Sequence, residues 1–318
     1  MTMKSYDKNK LECIAQETGF IRDNLEKVIR LSGILTFLNT NSLTKDKLVL
    51  KGGTAINLTV FEMPRLSVDI DLDYDNECDR DTMMADRKSI SAAVMGYMQA
   101  NGYSLHPGSK SPHALDSWVF TYINTAGNRD NIKIEINYLM RVHIYEPVKA
   151  CVNIPYLEVT EILALAPLEL FGSKIKALIE RSASRDLYDV NNMIESGIIS
   201  PDDYTLLRKV FLCYLAVGSS RPPMSQYDFS AIERIRFAQI RASLLPVLRK
   251  SEKFDFESAK KRVMDFLPVL MRFDDRDLEF IEQFNNGSYR PELLFQDEEE
   301  ILRRIASHPM ALWKINHR

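Results

Sequence analysis

The stretch KGGTAINLTVFEMPRLSVDIDLDYDNE (Lys51–Glu77) places an acid at every second position near its end. Asp69, Asp71, Asp73 and Asp75 alternate with Val68, Ile70, Leu72 and Tyr74. Alternate side chains of a strand share a face, so the pattern predicts a strand with an apolar side and a carboxylate side. Clustered carboxylates repel one another unless a cation or a proton compensates. Mg2+ suits such a face, because it is usually held through one or two carboxylates plus substrate phosphates. The plain alternative is a solvated outer face on an edge strand. A calcium loop of the EF-hand type is excluded, because the positions that need Gly and Glu, counted from Asp69, hold Tyr74 and Arg80.

The turn before the strand adds a second feature. Gly52 and Gly53 let a phosphate approach backbone N–H groups, and Thr54 opens a short helix whose N-terminus favours anions. Downstream, WVFTYIN, TAGNRDN and IKIEINYL (118–139) read as a hairpin with a polar turn. There Ile132, Ile134 and Ile136 alternate with Lys133, Glu135 and Asn137, so Glu135 would join Asp69 and Asp71 if the strands are neighbours.

The flanks are helical in character. A helix is expected from about Asp7 to Asn39, another over DRDTMMADRKSISAAVMGYMQANGY, and helix again from about Glu161 to Asn192. That last stretch breaks near RSASRD, where serines are candidate caps. The expected architecture is α+β: N-terminal helices (1–45), a small mixed sheet (46–160) and a helical C-terminal region (161–318).

Bulk properties exclude several classes. The chain has 318 residues and a formal charge of -3, so no global basic field advertises nucleic acid. Cys13, Cys78, Cys151 and Cys213 form no CxxC pair and are expected to be reduced core thiols of a cytosolic protein. The N-terminus lacks an apolar signal core, and no run approaches a membrane span. The five histidines show no metal-ligand spacing.

Over Pro167–Arg181, Leu168, Phe171, Ile175, Leu178 and Ile179 form an apolar stripe. Lys174 and Arg181 border it, while Lys176 projects to the opposite, solvent side. A bordering lysine commonly only snorkels. In SRDLYDVNNMI, Leu187, Val190 and Ile194 define a buried stripe of their own, with Asp186 inside it and Asp189 at its edge. A carboxylate there must be ligated or paired, with Arg181 or Arg185 the available partners. The tract LRKSEKFDFESAKKRV offers Arg249, Lys250, Lys253, Lys260, Lys261 and Arg262 as a local basic surface, with Lys260 and Lys261 in solvent. An ordinary exposed helix is the alternative.

LKGGTAINLTVFEMPRLSVDIDL resembles the first motif of the DNA polymerase β-like nucleotidyltransferase superfamily: Gly-Gly, a short helix, then Asp-x-Asp. RLSVDIDL resembles more narrowly the AbiEii group of toxins, which includes the MenT-like toxins. LELFGSKIKALIERSASRDLYDV is similar to that group's Lys-containing helix followed by Arg-Asp-Leu-Tyr-Asp.

The resemblance implies a toxin that transfers a nucleoside monophosphate from an NTP to an acceptor and releases pyrophosphate. On it, Asp69 and Asp71 hold one or two Mg2+ ions, and Glu135 is a third carboxylate that ligates the second ion or takes the acceptor's proton. Gly52, Gly53 and Thr54 hold the phosphates. Arg65 and Ser67 orient the metal strand or the nucleotide, although Arg65 is equally a candidate for a surface ion pair. Lys174 contacts phosphate, and either Asp186 or Asp189 is an active-site acid. The implied acceptor is a tRNA 3′ end. The implied partner is a cognate antitoxin, with or without a stable complex, in the cytoplasm. A small-molecule nucleotidyltransferase of the antibiotic-modifying kind and a catalytically inactive binding module are the rival readings.

Overall fold

The computed structural model describes residues 7–152, 154 and 157–317. The first six residues of the N-terminal stretch read above lie outside it. Two compact units are present: 7–141 with 147–165 and 246–252, and 142–146 with 166–245 and 253–317.

The first unit opens with α1 (Lys8–Thr18) and α2 (Arg22–Thr40). One continuous helix was expected here. Gly19 breaks it, because it ends α1 at φ 75°, a left-handed conformation that suits glycine. Then follow β1 (Leu48–Lys51), α3 (Gly52–Ala55) with a π-helical turn (Ile56–Val60), β2 (Asp69–Asp75) and α4 (Arg80–Ala100). Strands β3 (Ser104–Leu105), β4 (Leu115–Ile123), β5 (Arg129–Arg141), β6 (Val148–Val152) and β7 (Thr160–Ala164) complete the unit. Helix was expected from about Glu161, but Thr160–Ala164 is β7, in which buried Ile162 and Ala164 alternate with more exposed neighbours.

All seven strands form one mixed sheet in the order β3-β4-β5-β2-β1-β7-β6. The carboxylate strand β2 is therefore internal, antiparallel to β1 and parallel to β5. This corrects the edge-strand alternative. Ile70, Leu72 and Tyr74 are buried on one face with Ile132, Ile134 and Ile136 of β5. Tyr74 donates to Asp86 Oδ2 at 2.6 Å, and Arg87 pairs with Asp116 at 2.6 Å, so α4 covers this face. The N-terminal helices pack with the sheet: Asn39 of α2 accepts from the Leu163 N–H of β7 at 2.9 Å.

The second unit is helical: α5 (Pro167–Arg181), α6 (Ser184–Ser196), α7 (Tyr204–Gly218), α8 (Ser230–Glu233), α9 (Phe237–Ser243), α10 (Phe256–Leu270), α11 (Asp275–Asn285), α12 (Glu292–Phe295), α13 (Glu299–Ile305) and α14 (Pro309–Asn316). The expected serine cap of α6 is absent: Ala183 is the N-cap, and Ser182 ends α5 in the left-handed region at φ 48°. Gly172 lets α5 press onto α7, since a Cβ there would stand 2.6 Å from Val210 Cγ1. Of the cysteines only Cys213 is a core thiol, whereas Cys13 and Cys151 are exposed and Cys78 is half-buried, all unbridged. Among the described residues no helix is long and apolar enough to cross a membrane.

Candidate active site

Pairing places Lys51, the last residue of β1, opposite Asp71. The chain then turns through Gly52 at φ 70°. A Cβ on Gly52 would lie 2.8 Å from Asp71 Oδ2, and one on Gly53 would lie 2.6 Å from the Arg65 guanidinium. Side chains approach both glycines closely, and Gly52 is favoured besides by its positive φ. The turn backbone and the Asp71 carboxylate share one small space.

Thr54 is buried. Its hydroxyl donates to the Asp69 carbonyl and lies 2.9 Å from Ser67 Oγ, so it laces α3 to β2. A phosphate at this turn would therefore meet backbone N–H groups rather than the Thr54 hydroxyl. Arg65 is buried and donates to the Leu66 carbonyl at 3.0 Å, which corrects its reading as a surface ion pair. Ser67 is buried beside it.

Asp69 and Asp71 are half-buried and share a face. Asp73, expected to share their exposure, is fully buried and paired with Lys51 Nζ at 2.5 Å. In the antiparallel register Val49 of β1 stands opposite Asp73, and Lys51, opposite Asp71, reaches it diagonally. In the parallel register of β5, Lys133 stands opposite Asp69 and Glu135 opposite Asp71. The expected neighbourhood of Glu135 and the Asp pair is thus present in the sheet.

Glu135 is held by Lys133 Nζ at 2.7 Å. Burial works against the Glu135 charge, but the Lys133 and Ser117 hydrogen bonds keep its pKa below the usual range. For Lys133, partial burial opposes the charge, while Glu135, then Asp69 and Asp71, raise its pKa. A lysine the sequence reading did not single out is therefore an internal counter-ion of the carboxylate face.

The donor set is all oxygen, as a hard divalent cation requires. Among the described residues no group of three or more His, Cys, Asp or Glu side chains is placed to hold a metal by itself. Asp69 and Asp71 fit an ion that completes its shell with phosphate and water oxygens.

The remaining sequence candidates lie in the second unit. Lys174 is buried, with Nζ 2.9 Å from Asp186 Oδ1 and 3.1 Å from Asp189 Oδ2. Arg181 grips Asp186 with Nε at 2.6 Å and Nη2 at 2.9 Å. Lys174, Arg181, Asp186 and Asp189 thus interlock, and both candidate acids belong to the cluster. Burial opposes the Asp186 charge, but Lys174 and Arg181 hold its pKa below the ordinary carboxylate value. Lys176 is not the free solvent lysine expected: its stem lies along Gly218, and it pairs with Glu180 at 2.8 Å. Lys260 likewise turns back, onto Glu257 at 3.0 Å and over the Phe256 ring at 4.7 Å. Lys261 is exposed, as expected.

A family described as nucleotidyl transferase AbiEii toxin, Type IV TA system, matches residues 36–276. Among solved structures, the chain is similar to MenT4, a nucleotidyltransferase toxin from Mycobacterium tuberculosis H37Rv, with a TM-score of 0.64 and 15% identity. The superposition covers 95% of this chain and 99% of that one, a likeness of fold. No curated protein matches the sequence. The family match spans both β2 with its glycine turn and the Lys174–Asp186 helices, the same two blocks that carry the motifs. The chain belongs to the AbiEii family of nucleotidyltransferase toxins, of type IV toxin–antitoxin systems.

Proposed function

We propose that this toxin uses Mg2+ to transfer a nucleoside monophosphate from an NTP to the 3′ end of a tRNA, in the cytoplasm. The observation that carries the reading is the placement of Asp71 against the Gly52–Gly53 turn, with Asp69 on the same face of an internal strand. Phosphoryl transfer needs positioning and charge neutralisation more than covalent chemistry. Asp69 and Asp71 would hold the ion, which would neutralise charge on the phosphates. The turn's backbone N–H groups would cradle the phosphates beside it.

Glu135, opposite Asp71 in the register, is suited to receive the acceptor's proton once Lys133 moves off it. Arg65 and Ser67 would orient the metal strand or the nucleotide, and their burial supports the first of these roles. Lys174 is proposed to contact phosphate, with Asp186 and Asp189 orienting it. The cognate antitoxin would control the toxin, with or without a stable complex.

The test is incubation of the pure protein with each α-phosphate-labelled NTP, Mg2+, and either total tRNA or small hydroxylated acceptors, followed by mapping of the labelled product. Label at a tRNA 3′ end supports the reading. Label only on small acceptors would establish the antibiotic-modifying alternative, and no transfer at all would favour an inactive binding module.

A further inference from the structure

The second unit carries a groove of about 680 Å³ lined by Glu233, Arg234, Arg236, Phe237, Phe256 and Lys260 among others. One wall comes from RIRFAQIR (Arg234–Arg241), which holds three arginines and no acid. Ile235 and Ile240 are buried, and this turns Arg234, Arg236, Phe237 and Arg241 outward. Phe237 leaves 56% of its surface in water, an unusual position for a phenylalanine flanked by cations. Across the groove Lys260 is already engaged by Glu257 and the Phe256 ring. The groove's other cations are Arg234, which also acts on Asp228, and Arg236; its acids are Glu233 and Glu257.

Both walls are fastened to α6, the helix that bears Asp186 and Asp189. Ser243, the last residue of α9, lies 2.5 Å from Ser184 Oγ through its own Oγ, and its carbonyl accepts from Arg185 Nε at 2.8 Å. From α10, Arg262 donates to Asn191 Oδ1. A ligand in the groove thus sits on elements anchored one turn or less from the Lys174 cluster.

We propose that this groove docks the single-stranded end of the RNA acceptor, with one base stacked on Phe237 and the adjoining phosphates held by Arg234 and Arg236. An exposed aromatic side chain in a groove that arginines also line suits an unpaired nucleotide: every base has a π-face, and the fork of arginine matches phosphate. Bases inside an RNA duplex are already stacked on their neighbours and offer no free face. The inference rests on the reading that the acceptor is RNA.

Anisotropy of a short labelled single-stranded RNA and of a blunt RNA duplex, titrated with the full chain, tests it. Phe237→Ala should weaken single-strand binding about ten-fold, the loss of one stacked base, and leave duplex binding unchanged. Phe237→Trp should preserve single-strand binding, which separates stacking from folding. The double variant Arg234→Gln, Arg236→Gln should lower the slope of log affinity against log salt by about 1.4, for two phosphate contacts on a single strand. If wild type binds RNA and all variants match it, the groove serves something else, an acidic protein segment for example, and the proposal is overturned while the RNA reading stands. If wild type binds no RNA, the acceptor reading fails and takes the groove with it.

Discussion

Lys174 and Asp186 form a buried ion pair, Nζ to Oδ1 2.9 Å, with each partner shared: Asp189 also holds the lysine, and Arg181 also holds the aspartate. A lysine placed this way is fixed and desolvated before any substrate arrives. Removing one partner of a buried pair leaves the others uncompensated, at a cost of about 3–5 kcal/mol. Lys174→Ala should therefore lower unfolding free energy in urea by about that amount. Lys176→Ala removes a single i,i+4 pair, worth about 0.3–0.5 kcal/mol, and serves as the control. Equal losses from the two would contradict the assignment of Lys174 to the interior cluster.

The same cluster sets an acid limit. Burial opposes ionised Asp186, but Lys174 and Arg181 win, so its folded pKa lies below the unfolded value. A depressed carboxylate stabilises the fold above its unfolded pKa of about 3.9, and that stabilisation disappears as pH falls through the folded value. Asp186→Asn should give a protein less stable at neutral pH whose stability falls less steeply below about pH 4. Thermal unfolding across pH 2–7 (about that range) checks the slope, and parallel curves for wild type and variant would rule the effect out.

The glycine turn makes a steric prediction. An alanine at 52 must take a positive φ and meet Asp71 Oδ2 at 2.8 Å. Gly52→Ala should cost about 1 kcal/mol or more through backbone strain and displace the Asp71 carboxylate. Gly127→Ala, also at positive φ but with open space around it, pays the strain without the displacement. Both variants should lose stability, whereas only Gly52→Ala should lose nucleotide transfer.

Like charges on β2 are a strain that an ion would relieve. Asp69→Asn should keep or raise the melting temperature without metal, and Asp69→Asn and Asp71→Asn should each lose the shift that Mg2+ plus NTP gives the wild type. Differential scanning fluorimetry reads both quantities. A variant with the full ligand-induced shift would remove Asp69 or Asp71 from the ion site.

Much of this was legible in the sequence because it depends on local periodicity. The period of two over Asp69–Asp75 marked the strand and its faces. The Gly52–Gly53 turn was read as room for a phosphate, and in the structure the Asp71 and Arg65 side chains approach it. Parallel pairing of β2 with β5 put Glu135 opposite Asp71 as expected. What escaped depended on distant partners. The burial of Asp73 follows from Lys51 across the ladder, and the capture of Glu135 by Lys133 from a same-face lysine that looked like the polar half of an alternation. β7 is five residues long and runs straight toward a helix, so its apolar pattern could not be told from a helical start. The RIRFAQIR tract gave a signal of its own, three arginines without an acid, but exposure of Phe237 emerges only once Ile235 and Ile240 are buried.

The central claim is that the Asp69–Asp71 face beside the Gly52 turn is where nucleotide transfer occurs. The most direct measurement compares wild type and Asp71→Asn for transfer of label from an α-phosphate-labelled NTP to total tRNA in Mg2+, with folding verified by circular dichroism. The account predicts labelled RNA with wild type and a loss of about 100-fold or more with Asp71→Asn, the scale of removing a group that stabilises developing charge. A folded Asp71→Asn protein that labels RNA at the wild-type rate would contradict it.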